Sequence, residues 1–178
     1  VEAAIGRKLE IVSGGATSSY TLVHWHTMPD GINHLRIGEN ILLSYDLQKL
    51  WHITDMDYLR TDTFTLTAQV IEVRDKPTYP QGKFCIDAFG HTPEFTDRGI
   101  RRRALLALGR ADAGELESLM PLDEGITVIG GSSDHCILDV TDCPRHLSVG
   151  DTVSFAIQYS HLLYLTGRSD VRFLYTGK

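Results

Sequence analysis

Cysteine is scarce in this 178-residue sequence, and the three present, Cys85, Cys136 and Cys143, form an odd set with no paired spacing. That argues against a disulfide framework and fits a reducing compartment, so the cysteines are expected to be small core residues. Long apolar runs are also missing. Nothing approaches the roughly 20 residues that span a bilayer, and the first residues lack a basic-then-apolar leader pattern. Positive charge is not in excess either: the net charge is −6, and the short run Arg101, Arg102, Arg103 does not make a surface for a phosphate backbone. A soluble cytoplasmic protein with no nucleic-acid and no membrane partner is the expectation. Among the eight histidines, His24 and His26 alternate around Trp25, yet neither follows a ligand spacing with a carboxylate, so no metal site is expected.

What is present divides at a change of composition near Leu50 to Thr61. Before it, Lys8 to Val12 alternates like a short strand and stops at Ser13, Gly14 and Gly15. Ser18 to His26 suits a helix begun by a hydroxyl residue, and Met28, Pro29, Asp30 and Gly31 stop it before a second apolar run, Ile32 to Leu43. This is a strand, helix, strand unit, and glycine-rich loops at the carboxyl ends of such strands are where α/β folds hold phosphates. After the boundary the chain reads as mostly β. Phe64 to Val73, Ile126 to Ile129, Cys136 to Val140 and Val153 to Ile157 alternate as strands do, and Pro, Gly and Asp punctuation predicts hairpins or a closed antiparallel barrel. The predicted units are residues 1–50 and 51–178.

Five segments in order carry a resemblance: residues 13–19 (SGGATSS), 31–39 (GINHLRIGE), 87–90 (DAFG), 108–112 (LGRAD) and 130–135 (GGSSDH). Together they resemble the ornithine-racemase-like members of the alanine-racemase family, over nearly the whole chain. The resemblance implies the C-terminal part of an amino-acid racemase that uses pyridoxal 5'-phosphate. Residues 1–50 would be the last strand, helix and strand of a truncated (β/α)8 barrel, and the rest a β-barrel-like domain of the alanine racemase and ornithine decarboxylase type. It also implies a homodimer with shared active sites and a small amino-acid substrate, a basic one such as ornithine. None of Lys8, Lys49, Lys76, Lys83 or Lys178 sits in the family's cofactor-lysine motif, so this chain by itself is expected to be inactive.

The resemblance distributes roles. Gly14, Gly15, Thr17 and Ser18 would receive the cofactor phosphate through backbone N–H groups and hydroxyls, with Ala16 standing where relatives usually have Asn. Gly38 and Glu39 would add main-chain donors, and Tyr159, read as a strand residue, would donate its hydroxyl. Arg36 would face the pyridine nitrogen. An arginine only donates, so that nitrogen must accept and stay unprotonated, which favours racemisation over decarboxylation; a surface pairing of Arg36 with Glu39 or Asp30 is the plain alternative. Asp134 would bind the distal ammonium of a diamino acid, with His135 beside it. Ser133 falls where the related decarboxylases have a proton-handling cysteine, and a serine needs help from a neighbour such as His135. Arg110 replaces the family's second base and cannot be one. It would hold the substrate carboxylate while Ser133 or His135 serves the second face, so the second base is open. A decarboxylase of the same fold and a non-catalytic dimerisation or binding module are the competing readings.

Overall fold

The computed structural model describes residues 1–82, 85–86, 90, 92 and 94–177. Asp87, Ala88 and Phe89 of the third matching segment lie outside the described residues. The chain forms two compact units, Val1–Phe64 and Thr65–Lys178. The division falls just past the compositional change, with residues 51–64 grouped in the first unit.

In the first unit, helix α1 (Glu2–Ile5) ends at Gly6, whose φ of 66° suits a residue without a side chain. The expected strand, helix, strand order is present in reduced form. Ser13 makes a parallel bridge with His34. Around it, the Asn33 N–H donates to the Val12 carbonyl (3.1 Å), Gly14 N–H to His34 (2.9 Å) and Arg36 N–H to Gly15 (2.8 Å). Between the paired segments lie a 3-10 turn (Thr17–Ser19) and helix α2 (Tyr20–His24). Of the run predicted as a second strand, the bridge at His34 is the strand pairing seen among the described residues, and the run ends in helix α3 (Glu39–Leu42). Beyond Arg36 the Ile41 and Leu43 N–H groups donate to the Gly38 and Glu39 carbonyls, and Ser44 N–H reaches the Arg60 carbonyl at 3.0 Å. Leu43, Leu47 and Met56 form this unit's buried core.

The second unit is a six-stranded, wholly antiparallel sheet in the order β3-β6-β1-β2-β5-β4, curled into a nearly closed, barrel-like form. Its strands are β1 (Thr65–Pro77), β2 (Ile100–Leu106), β3 (Met120–Pro121), β4 (Thr127–Gly131), β5 (Cys136–Asp139) and β6 (Thr152–Ala156). Strand β1 pairs with β6 over its first five residues and with β2 from Val70 onward, with a register break between Val70 and Glu72. A bulge of this kind bends a strand and adds twist, which lets one strand serve two faces of a curled sheet. Leu66, Ala68 and Val70 alternate inward along it, opposite Phe155, Val153 and Leu106 in the register, and Leu138 is buried in the same unit. Helix α4 (Arg110–Ala113) follows β2, and helix α5 (Tyr159–Leu165) follows β6 and packs on α4.

Two expectations need correction. Tyr159 is the first residue of α5, not a strand residue. The helix starts there because His161 Nδ1 accepts the Gln158 N–H at 3.0 Å, a cap made by a residue type that sequence rules do not rank as one. Of the cysteines only Cys136 is a core residue; Cys143 is half-buried and Cys85 is exposed. Among the described residues, no helix is long and apolar enough to cross a membrane.

Candidate functional site

The residues singled out from sequence fall into two clusters, one in each unit. In the first, the glycine loop is shaped by close contact. A Cβ on Gly14 would lie 2.4 Å from Ile32 Cγ2, and one on Gly15, whose φ is 135°, would lie 2.2 Å from Ser19 Oγ. The backbone conformation at Gly15 favours glycine, and a side chain at Gly14 would require Ile32 to move. Among the described residues the N–H groups of Gly15, Ala16, Thr17 and Ser18 have no backbone partner, whereas Ser19 N–H already donates to the Ala16 carbonyl. Thr17 is buried and Ser18 exposed.

Arg36 is joined to this loop by its own N–H on the Gly15 carbonyl. Its side chain is exposed, and neither Glu39 nor Asp30 pairs with it. Gly38 is the exposed residue before α3, and Glu39 opens that helix half-buried. Burial, then the charge of Asp46 and a hydrogen bond with it, push the Glu39 carboxyl up to about 7.

The second cluster joins the turn after β2 to the turn before β5. Arg110 N–H donates to the Ser132 carbonyl and Ala111 N–H to the Ser133 carbonyl, both at 3.0 Å. A Cβ on Gly109 would sit 2.0 Å from that Ser133 carbonyl oxygen, so only glycine permits the approach. Within the turn, Ser132 Oγ accepts the N–H groups of Asp134 and His135 at 3.3 and 3.2 Å. Ser133 Oγ donates to Asp134 Oδ2 at 2.7 Å, so its proton is directed at Asp134 rather than at His135. Ser133, Asp134 and His135 are all exposed. Arg110, Ser133, Asp134 and His135 are thus brought together; Tyr159 stands half-buried on α5 and makes no hydrogen bond to them among the described residues.

Two participants escape sequence reasoning, Glu117 and Arg168. Glu117 forms an ion pair with Arg110. Arg168 bridges Asp112 (3.2 Å) and Asp170 (3.1 Å), and Asp112 in turn caps α4 by accepting the Gly109 N–H. Their spacing carries no local signal. His24 lies between Asp55 Oδ2 and the Tyr58 hydroxyl, each at 3.1 Å, and Trp25 Nε1 donates to the same carboxylate at 2.9 Å. His24 thus belongs to a side-chain network; among the described residues no group of three or more His, Cys, Asp or Glu that could hold a metal ion is found.

No protein-family model matches the chain. It is 41% identical over 156 residues to an ornithine racemase of Acetoanaerobium sticklandii and 46% identical over 158 residues to a lysine racemase of Thermotoga maritima. Those alignments take in 88% and 89% of this chain but 43% of each relative, so the chain spans under half of their length. Among solved structures, D-threonine aldolase from Filomicrobium marinum superposes with a TM-score of 0.57 at 16% identity, over 91% of this chain and 37% of that one. Alanine racemase from Bartonella henselae with covalently bound pyridoxal phosphate superposes at 0.55 and 18% identity, over 93% and 43%. At such identities the structures establish the fold alone, a β-rich unit shared with both enzymes. Sequence identity carries the likeness further: over 88% and 89% of its length the chain is similar to part of an ornithine racemase and of a lysine racemase.

Proposed function

We propose that this chain is the C-terminal part of a cytoplasmic, pyridoxal phosphate-dependent racemase of a basic amino acid, ornithine or lysine. The observation that carries the reading is the bond from Arg36 N–H to the Gly15 carbonyl. It fastens a donor-only cation beside a loop whose N–H groups await acceptors. A phosphate monoester fits that loop: a side chain at Gly14 or Gly15 would collide with Ile32 or Ser19, and the N–H groups of residues 15–18 match phosphate oxygens in kind. Gly14, Gly15, Thr17 and Ser18, together with Gly38, Glu39 and Tyr159, are the residues proposed to hold the group.

Bound there, the cofactor would supply the electron sink that lets an α-proton leave. The remaining roles belong to side chains of this chain. Arg36 would offer only donors to the ring nitrogen, which would then have to accept. Asp134, fixed in its turn by Ser132 and Ser133, presents a carboxylate to the distal ammonium. Arg110, held by Glu117, presents its guanidinium to the substrate carboxylate. His135 or Ser133 moves the proton on the second face. The two clusters lie in different units, and the proposal has a homodimer completing each site, with the second cluster contributed by the partner.

The test uses the full-length gene product. Loss of optical rotation from L-ornithine and L-lysine, with D-enantiomer formed and no carbon dioxide released, is expected. Asp134→Asn should lower kcat/KM for both diamino acids by roughly tenfold or more, the worth of a charge-assisted bond, and spare alanine. Equal losses on all three substrates would remove Asp134 from substrate choice.

A further inference from the structure

At the opposite end of β2 and β5 from the Arg110 cluster, the turn of residues 140–147 closes over Arg102 and leaves a polar pocket of about 170 Å³. Its rim carries Arg102, Thr141, Cys143, Arg145 and His146, over the buried side chains of Val140 and Leu147. We propose that this pocket binds a small oxyanion, a carboxylate or phosphate, separately from the site described above.

Arg102 sets the chemistry of the pocket. A guanidinium is always charged and offers five donors and no acceptor. Here, among the described residues, its Nε is buried without a partner, and its Nη2 lies 3.4 Å from His146 Nε2. Because arginine only donates, that imidazole nitrogen must be the acceptor, which puts the ring proton on Nδ1. Two cation-capable groups thus face each other with no acid between them. Asp75 stands opposite Arg102 in the β1–β2 register but forms no ion pair with it. The acids nearest in sequence are committed elsewhere: Asp139 and Asp142 to Arg101, and Asp123 to Arg145. By contrast Arg101, one residue earlier on the other face of β2, has two carboxylates.

The pocket is also built rather than incidental. Arg102 N–H donates to Thr141 Oγ1 at 2.8 Å, and Val140 N–H returns to the Arg102 carbonyl at 2.9 Å. A Cβ on Gly125 would meet the Asp142 carbonyl oxygen at 2.1 Å, so the turn is pressed against a glycine that has to be one. Arg145 Nη2 is held at the rim by Asp123 (2.5 Å) and the Thr152 carbonyl (3.0 Å). The result is a site rich in donors and poor in acceptors on a chain of net charge −6. At roughly 30 Å³ per water, its volume suits an anion of a few heavy atoms and excludes a nucleotide.

Amide chemical-shift titration of the intact 178-residue chain tests this, with sodium phosphate, sodium acetate and, as the ionic-strength control, sodium chloride. Saturable shifts at Arg102 and residues 141–147 with phosphate or acetate, and none with chloride, are expected; whichever oxyanion saturates first identifies the source. Arg102→Gln should weaken that binding about tenfold, the worth of one charge-assisted contact, and leave any phosphate response at residues 15–18 unchanged. Arg102→Lys, which keeps the charge and loses the fork, should weaken it several-fold and decides the matter should the glutamine variant misfold. Shifts confined to residues 15–18, shifts matched by chloride, or affinity unchanged in the variants would overturn the proposal. A failure here leaves the racemase reading untouched, since the two use different residues.

Discussion

The carboxyl of Glu39 titrates near 7 because it is half-buried beside Asp46. An acid whose folded pKa exceeds its unfolded value holds more protons when folded, so stability falls as pH rises from 4.5 through about 7. Glu39→Gln should remove that slope. The urea midpoint of the variant is expected to exceed that of the parent at about pH 8 and to match it near pH 4.5; a parent midpoint that stays flat across the interval would contradict the buried-acid account. Asp139 has the opposite sign. Burial alone would raise its pKa, but Arg101 Nε at 2.8 Å and Thr141 N–H at 3.0 Å outweigh burial and hold it below the ordinary 3.8. Its contribution is complete above 3.8 and is lost as pH falls through the lower folded value. Asp139→Asn should cost about 1–3 kcal/mol near neutrality and make the acid limb shallower, as read from denaturation midpoints between about pH 2 and 6.

Helix α5 owes its start to a histidine. His161 is fully buried, accepts the Gln158 N–H at Nδ1, and places Nε2 3.0 Å from both the Ser118 hydroxyl and the Glu115 carbonyl. His161→Leu would strand those groups, and a loss of about 2–4 kcal/mol is expected; His161→Gln, which can replace part of the bonding, should recover some of it in the same denaturation assay. This cap also marks where the sequence was silent. Strands β1, β4, β5 and β6 were legible because one face is buried, so inward Leu66, Ala68 and Val70 alternate with exposed neighbours. Strand β3 has two residues, too short for any period to show. The conformation of Tyr159 was hidden because a Gln, x, x, His cap depends on buried partners from another part of the chain. In the candidate site, the glycines were visible and so were Arg36, Asp134 and His135. Glu117 and Arg168 were not, since ion pairs across turns follow tertiary geometry and leave no spacing to read.

The second unit has its own core, with Phe155, Leu106, Leu138, Leu116 and Val153 at or below 1% exposure. A chain of residues 65–178 is therefore expected to keep its strand circular dichroism and unfold in one transition, and Phe155→Ala within it should lose about 3–5 kcal/mol. A non-cooperative melt of that shorter chain would show that it needs the first unit to fold. The double pairing of β1 has a consequence in time. Its second half meets β2, the next strand made, whereas its first half waits for β6, the last strand in the sheet. Closing so long a loop costs chain entropy before any contact repays it. During synthesis the hairpin of β1 and β2 can form early, while the edge at residues 65–69 stays open until almost the entire unit has left the ribosome, and it is over that interval that the chain is most exposed to wrong pairing with a second copy of itself.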